Sequence, residues 1–80
     1  MISVRVYVTH KKGIIDPEGK AIRLGLENLG YRDVDKVTSG KVIDIEFSHD
    51  DKARAEREVE DMCRRLLANP NMENYQFEIQ

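Results

Sequence analysis

The segment Lys12–Gly19, with the sequence KGIIDPEG, is the most informative stretch of this 80-residue chain because it predicts where a helix begins. Asp16 can accept hydrogen bonds from the free amides of the first turn, so we expect it to be the N-cap. Pro17 fits the first helical position, where no backbone amide is needed. Gly19 costs about 1 kcal/mol relative to alanine inside a helix. We therefore expect the chain's own sheet, a partner protein or a ligand to approach the backbone closely at Gly19.

Hydrophobic periodicity predicts a strand before this segment and a helix after its N-cap. Residues 2–9 alternate apolar and polar side chains, and the β-branched members favour a half-buried strand. The helix is expected from Pro17 to Leu29, and Gly30 supplies a left-handed stop. Its apolar residues recur at helical spacing and form a stripe that we expect to be buried: Ala21, Ile22, Gly25, Leu26 and Leu29.

The second half of the chain repeats the alternation of strand and helix. We expect a short strand at Val37, a two-residue hairpin turn at Gly40-Lys41 and a returning strand over residues 43–47. A second helix is expected to begin at Asp50 or Asp51 and to end before Pro70, and a last strand is expected over residues 75–79. The buried stripe of the second helix is expected to consist of Ala55, Val59, Met62, Cys63 and Leu66.

The element order β-α-β-β-α-β predicts an α+β, ferredoxin-like domain that covers residues 1–80. In that fold both helices lie on one face of a four-stranded antiparallel sheet. The other face would carry polar side chains, from Ser3, Arg5, Tyr7, Thr9, Asp44, Glu46, Gln76 and Glu78. The sheet would also have two edge strands, and pairing with another copy is one way to cover them.

Composition excludes several classes of protein. Thirteen basic and fifteen acidic residues give a net charge of −2 with no basic face, so we expect no nucleic-acid partner. No apolar run approaches the roughly 20 residues of a membrane span, so we expect no membrane segment. A single cysteine favours a reducing compartment, and we expect a soluble, cytoplasmic protein. A small domain without disulfides has a limited core, which favours stabilisation by self-association.

Few residues could carry a reaction. His10 and His49 follow the first and third predicted strands, which are adjacent and parallel in this topology. We therefore expect both histidines at one end of the sheet, near Asp16 and Asp50. Such a set could bind a metal, but it has no ligand-spacing motif, and ordinary polar loop residues are the simpler interpretation. Cys63 is expected to be a core thiol, so we predict no catalytic residue, no cofactor and no metal.

A series of short motifs extends over nearly the whole chain. They are residues 12–22 (KGIIDPEGKAI), Leu29-Gly30, residues 34–37, Gly40-Lys41 and residues 66–70 (LLANP), before Glu73 and Tyr75. In this order and spacing the chain resembles the PurS family, the small subunit of phosphoribosylformylglycinamidine synthase. One departure is Thr38, where relatives usually carry an arginine, so Thr38 is not among the expected contact residues.

The resemblance implies a non-catalytic role in purine biosynthesis. The parent enzyme converts formylglycinamide ribonucleotide to formylglycinamidine ribonucleotide with ATP and with ammonia released from glutamine. The implied partners are a glutaminase subunit (PurQ-like) and a synthetase subunit (PurL-like), which this chain would bridge while supporting ammonia transfer. Self-association as a dimer or tetramer is also implied.

Within that resemblance, we expect partners to dock on the loop and helix start and on the later Gly-Lys pair. The expected contact residues are Lys11, Lys12, Gly13, Asp16, Pro17, Gly19, Gly40 and Lys41. Gly19 would permit close backbone approach, and the lysines would supply charge complementarity. A rival hypothesis is a ferredoxin-like sensor of amino acids or other small molecules, because a fold does not determine a function.

Overall fold

The computed structural model describes residues 1–80 as three strands and two helices. In chain order they are β1 (Ile2–His10), α1 (Pro17–Asn28), β2 (Gly40–Phe47), α2 (Lys52–Met62) and β3 (Glu73–Ile79), and a π-helical turn over Cys63–Leu67 continues α2. Neither helix has the length and the apolar composition that crossing a membrane requires. The α+β class predicted from the sequence is confirmed.

The sheet has three strands in the order β2-β1-β3, and β1 pairs antiparallel with both neighbours. Val4, for example, lies opposite Ile45 on one side and Ile79 on the other. The predicted four-stranded sheet is therefore wrong for the protomer, because the segment around Val37 pairs with no strand. The carbonyl of Val37 instead lies against α1, and Ser39 hydrogen bonds to Asp16, so this segment is tied to the helix start.

The predicted hairpin turn at Gly40-Lys41 is also wrong, because both residues belong to β2. Gly40 lies opposite Thr9 and Lys41 lies opposite Val8. A Cβ atom at Gly40 would lie 2.5 Å from the carbonyl oxygen of Val8, so close backbone approach within the sheet requires glycine there. Gly40, which was predicted to form a turn, therefore lies in a strand.

The core lies between one face of the sheet and α2. The inward residues of β1 are almost completely buried, and Ala55 and Val59 of α2 pack over them with Cys63 of the π-helical turn. Cys63 is thus a core residue, as predicted. Leu66 is not, since it is 83% exposed and Leu67 packs against the core in its place. The π-helical turn adds one residue to the last turn of the helix, which shifts the apolar stripe by one position.

Helix α1 begins at Pro17, as predicted, and ends at Asn28, one residue before the predicted end, with Asp16 as N-cap, Leu29 as C-cap and Gly30 at φ +102°. Its apolar stripe, however, is not buried. Ile22 is 44% and Leu29 75% exposed, and no side chain of α1 packs against the core. In the protomer only α2 covers the sheet, so the predicted pair of helices on one face is wrong.

The helix and the segment that returns to β2 form an extension from the sheet, here called the arm (residues 17–39). Arg23 donates a hydrogen bond to the carbonyl of Asp35 at 3.2 Å, so the returning segment runs beside the helix. The protomer measures 49 × 25 × 14 Å, and its radius of gyration is 16.1 Å. A compact chain of this length would have a radius of gyration of about 12 Å.

Candidate partner-docking site

Asp16 is the centre of the hydrogen-bond network at the base of the arm. Its carboxylate accepts hydrogen bonds from the Gly19 amide (3.0 Å), the Ser39 amide (2.6 Å) and the Ser39 hydroxyl (2.7 Å). These donors favour the charged form, the Ser39 hydroxyl most strongly, and they lower the pKa of Asp16 to about 2. The His10 ring nitrogen lies 3.6 Å from the same carboxylate. Asp16 is thus an N-cap that also holds the end of the returning segment.

The close approach expected at Gly19 occurs within the chain itself. Gly19 is the only buried residue of α1, and a Cβ atom there would lie 2.5 Å from the carbonyl oxygen of Val37 and 2.6 Å from the Asp16 carboxylate. The group in contact is the returning segment of the chain itself. It is none of the three candidates expected from the sequence, which were the chain's own sheet, a partner protein and a ligand. Asp16 and Gly19 therefore build the arm, and they present little surface to a partner.

A polar cleft of about 370 Å³ opens beside this network. Four of the expected docking residues line it, namely Asp16, Pro17, Gly40 and Lys41. His10, which was expected near Asp16, also lines the cleft, together with Ser39 and Glu73, which were not predicted from the sequence. These elements meet because β1 pairs with both β2 and β3 at this end, where His10 lies opposite Glu73. No local sequence signal could have indicated Ser39 or Glu73, since strand pairing alone brings them to the cleft. Charges of both signs and the absence of hydrophobic residues from its lining suit the cleft to polar groups of a partner.

The remaining expected residues lie in the loop before α1. Lys12 and Gly13 are exposed, and Gly13 adopts a left-handed φ of +87°. Lys11 is half-buried, and its amide donates a hydrogen bond to the carbonyl of Met72. Ile15, which is not among the expected contact residues, is 80% exposed on the same loop. Lys12 and Ile15 on the loop and Pro17 at the first position of α1 therefore present accessible surface beside the base of the arm.

The expected meeting of the two histidines does not occur. Since β1 and β2 are antiparallel, with Ile2 opposite Phe47, His49 lies at one end of the sheet and His10 at the other. His10 contacts Asp16, while a ring nitrogen of His49 lies 3.1 Å from Glu58. The prediction that both share one end of the sheet is wrong, because it assumed a parallel pair of strands.

The polar face of the sheet is open, and two pairs of its polar side chains form hydrogen bonds across strands. Arg5 donates two hydrogen bonds to Asp44, at 2.8 and 3.2 Å, and this pairing lowers the pKa of Asp44. The Tyr7 hydroxyl donates a hydrogen bond to Glu78 at 2.5 Å, which raises the pKa of Tyr7. These pairs satisfy the face without a covering layer.

Comparison with known proteins places the chain in one family. Residues 3–80 match the family model PurS, described as phosphoribosylformylglycinamidine (FGAM) synthase. The PurS subunit of that synthase from Synechocystis is 44% identical over 75 residues, which cover 94% of this chain and 75% of the relative. The Bacillus subtilis PurS structure superposes with a TM-score of 0.87 at 34% identity, over 100% of this chain and 99% of that chain.

A second solved structure links the fold to an assembly. A chain of the Thermotoga maritima structure described as PurLQS superposes with a TM-score of 0.83 at 27% identity, over 100% of this chain and 99% of that chain. The family match, the identities and the superpositions each extend over nearly the full chain, and all agree with the resemblance seen in the sequence motifs. This chain belongs to the PurS family.

Proposed function

We propose that this chain is the non-catalytic PurS subunit of a phosphoribosylformylglycinamidine synthase, and that it bridges the glutaminase and synthetase subunits in purine biosynthesis. The single observation that carries this proposal is the full-length superposition on a chain of the Thermotoga maritima PurLQS structure. PurQ-like and PurL-like proteins are accordingly the proposed partners. The relatives named above are PurS subunits, and nothing in the structure favours the amino-acid sensor.

The chemistry of the side chains supports a non-catalytic role. Asp16 is committed to three donors, and with a pKa of about 2 it is a poor general base near neutral pH. Burial raises the pKa of the Cys63 thiol, which disfavours the nucleophilic thiolate. We propose that the chain positions the glutaminase and synthetase subunits relative to each other, because ammonia passes efficiently between two active sites only when these are held in register.

The proposed contact surface for a partner subunit consists of Lys12 on the loop, Pro17 at the start of α1 and Lys41 across the polar cleft. Lys41 is exposed on the edge strand β2, and Lys12 is exposed on the loop. Lysines at the rim of an interface raise the association rate and fix orientation more than they raise affinity. The proposed contact partner therefore carries carboxylates opposite this rim.

The proposal includes self-association as a dimer or tetramer, a cytoplasmic location and no cofactor or nucleic acid of its own. Self-association is supported by the arm, whose apolar stripe is left exposed in the protomer. The limited core supports it too, since only ten of the 80 residues are buried.

Reconstitution of the synthase tests the proposal. Glutamine-dependent amidation should require this chain together with a glutaminase and a synthetase subunit, while the synthetase should still use free ammonia without it. Full glutamine-dependent activity in a mixture that omits the chain would contradict the bridging role.

Charge reversal tests the contact surface. The Lys12→Glu/Lys41→Glu variant should require about tenfold more chain for half-maximal glutamine-dependent activity. Lys52→Glu, at the exposed first position of α2, is the matched control and should behave as the wild type. Equal activity curves for the two variants would exclude the polar cleft as the docking surface.

A further inference from the structure

Ile15 is an exposed apolar side chain at a position where helix starts commonly bury one. It directly precedes the N-cap Asp16, and it is 80% exposed. An apolar residue before an N-cap often packs against the fourth residue of the helix, and this contact fixes the entry of the chain. The fourth residue of α1 is Lys20, whose exposed side chain leaves the isoleucine uncovered. The helix start therefore forms without using the apolar surface of Ile15.

The loop that carries Ile15 is held at both ends. At its start, the Lys11 amide donates a hydrogen bond to the segment before β3 at 2.8 Å. The Ile14 amide then donates to the Lys11 carbonyl at 3.1 Å, and this bond closes a turn in which Gly13 has the left-handed φ that the third residue of a type II turn requires. At its end, the Asp16 carboxylate is bonded to three donors. Ile15 is thus presented in a fixed position, so little conformational entropy is lost when a partner binds it.

The exposed charges around Ile15 are predominantly positive. Lys12 lies on the same loop, Lys20 lies in α1, and Lys41 lies across the polar cleft. None of these lysines forms an ion pair in the protomer. The exposed carboxylate of the first turn of α1 is Glu18. A partner surface that fits here therefore combines an apolar pocket with carboxylates at its border.

We propose that Ile15 is the apolar anchor of the partner-docking surface, and that it inserts into an apolar pocket, bordered by carboxylates, on a partner subunit of the synthase. A few buried residues supply most of the affinity of an interface, whereas charges at its rim mainly set the association rate and the orientation. Full burial of one isoleucine changes a binding constant by about tenfold or more. The inference rests on the proposed function, to which it adds the residue that supplies affinity.

Binding kinetics distinguish this anchor from the charged rim. With the chain immobilised and the glutaminase and synthetase subunits together in solution, Ile15→Ala should raise the dissociation rate by about tenfold or more and leave the association rate near that of the wild type. The Lys12→Glu/Lys41→Glu variant should instead slow association, and its difference from the wild type should shrink as the salt concentration rises. Ile15→Val should give a dissociation rate between those of the wild type and Ile15→Ala. A wild-type dissociation rate for Ile15→Ala would overturn the inference.

Leu24→Ala is the matched control, because it removes a similar side-chain volume from a leucine that is 48% exposed on α1. We expect this variant to dissociate at the wild-type rate. The mass of Ile15→Ala in solution, from light scattering, should equal that of the wild type, and a smaller mass would assign Ile15 to contact between copies and overturn the inference. A wild-type chain that binds neither subunit would contradict the proposed function itself. Wild-type binding that is unaffected by Ile15→Ala would contradict only the anchor.

Discussion

Asp16 joins two segments that lie 23 residues apart, because one carboxylate serves the first turn of α1 and the end of the returning segment. The sequence identified its capping role correctly, since N-capping is decided by neighbouring residues. The bond to Ser39 could not be predicted, because it depends on how the chain returns. The same holds for Gly19, where the sequence indicated a close approach and only the folded chain shows that Val37 makes it.

The low pKa of Asp16 predicts the pH range over which the base of the arm loses stability in acid. Its pKa of about 2 lies below the value of about 3.9 for an unfolded aspartate, so its contribution to stability is present above pH 4 and is lost as the pH falls towards 2. Protection of the Ser39 amide, followed by NMR, should decline over that interval. Ser39→Ala removes the donor that lowers the pKa most and should shift the decline to higher pH, and an identical profile would contradict this role.

Gly19→Ala should disrupt the base of the arm, because the added methyl group would meet backbone and carboxylate atoms at 2.5 and 2.6 Å. We expect a cost of about 1–3 kcal/mol, which corresponds to an increase of about fivefold to more than 100-fold in the exchange rate of the Ser39 amide. Gly25→Ala is the control, since a Cβ at Gly25 meets nothing within 4 Å and alanine favours helix. Slow exchange of the Ser39 amide in Gly19→Ala would instead show that the returning segment moves aside at little cost in free energy.

The π-helical turn after α2 decides which leucine enters the core. The prediction of a buried apolar stripe is correct as far as Cys63 and wrong at Leu66, because α-helical spacing no longer applies over Cys63–Leu67. Sequence periodicity assumes a constant number of residues per turn and cannot show where one is added. The bounds of α1 and the N-cap of α2 at Asp51 were predictable, since caps, proline and glycine mark them locally.

The buried thiol of Cys63 can report on this shift. Leu67→Ala should open the core near Cys63 and speed the reaction of its thiol with a disulfide reagent by about tenfold or more. Leu66→Ala should leave the rate near that of the wild type, since Leu66 is exposed in the protomer. The reverse order of rates would show that the helix keeps its α-helical spacing to Leu67.

The topology of the elongated protomer was harder to predict from the sequence than its individual strands and helices. The alternating residues of β1 and the apolar stripe of α1 were visible in the sequence, and both indicate surfaces that avoid water. Neither pattern shows which other surface covers these apolar side chains, or whether that surface belongs to the same chain. The ferredoxin-like arrangement assumed that α1 packs on its own sheet and that a strand forms near Val37. Strand order and helix placement depend on contacts between distant residues, and these have no local signal.

The proposed self-association through the exposed apolar stripe of the arm makes stability depend on chain concentration. The temperature of half-unfolding should rise by several degrees over a hundredfold increase in concentration, because association stabilises only the folded chain. Differential scanning calorimetry would measure this rise. Ile22→Lys places a charge in this stripe and should show little dependence on concentration. Leu24→Lys is the control, because Leu24 is similarly exposed on the opposite side of α1, and it should match the wild type. A wild-type midpoint that is constant over this range would contradict association through the arm.

The pairing of the first and last strands has a consequence for protein engineering. Since the Gln80 amide donates a hydrogen bond to the Ser3 carbonyl, the two ends of the chain lie side by side. A short linker could join them, and new ends could be opened at the exposed tip of the arm near Tyr31. Such a circular permutant would keep every strand intact and would place a fluorophore or an affinity tag far from the sheet.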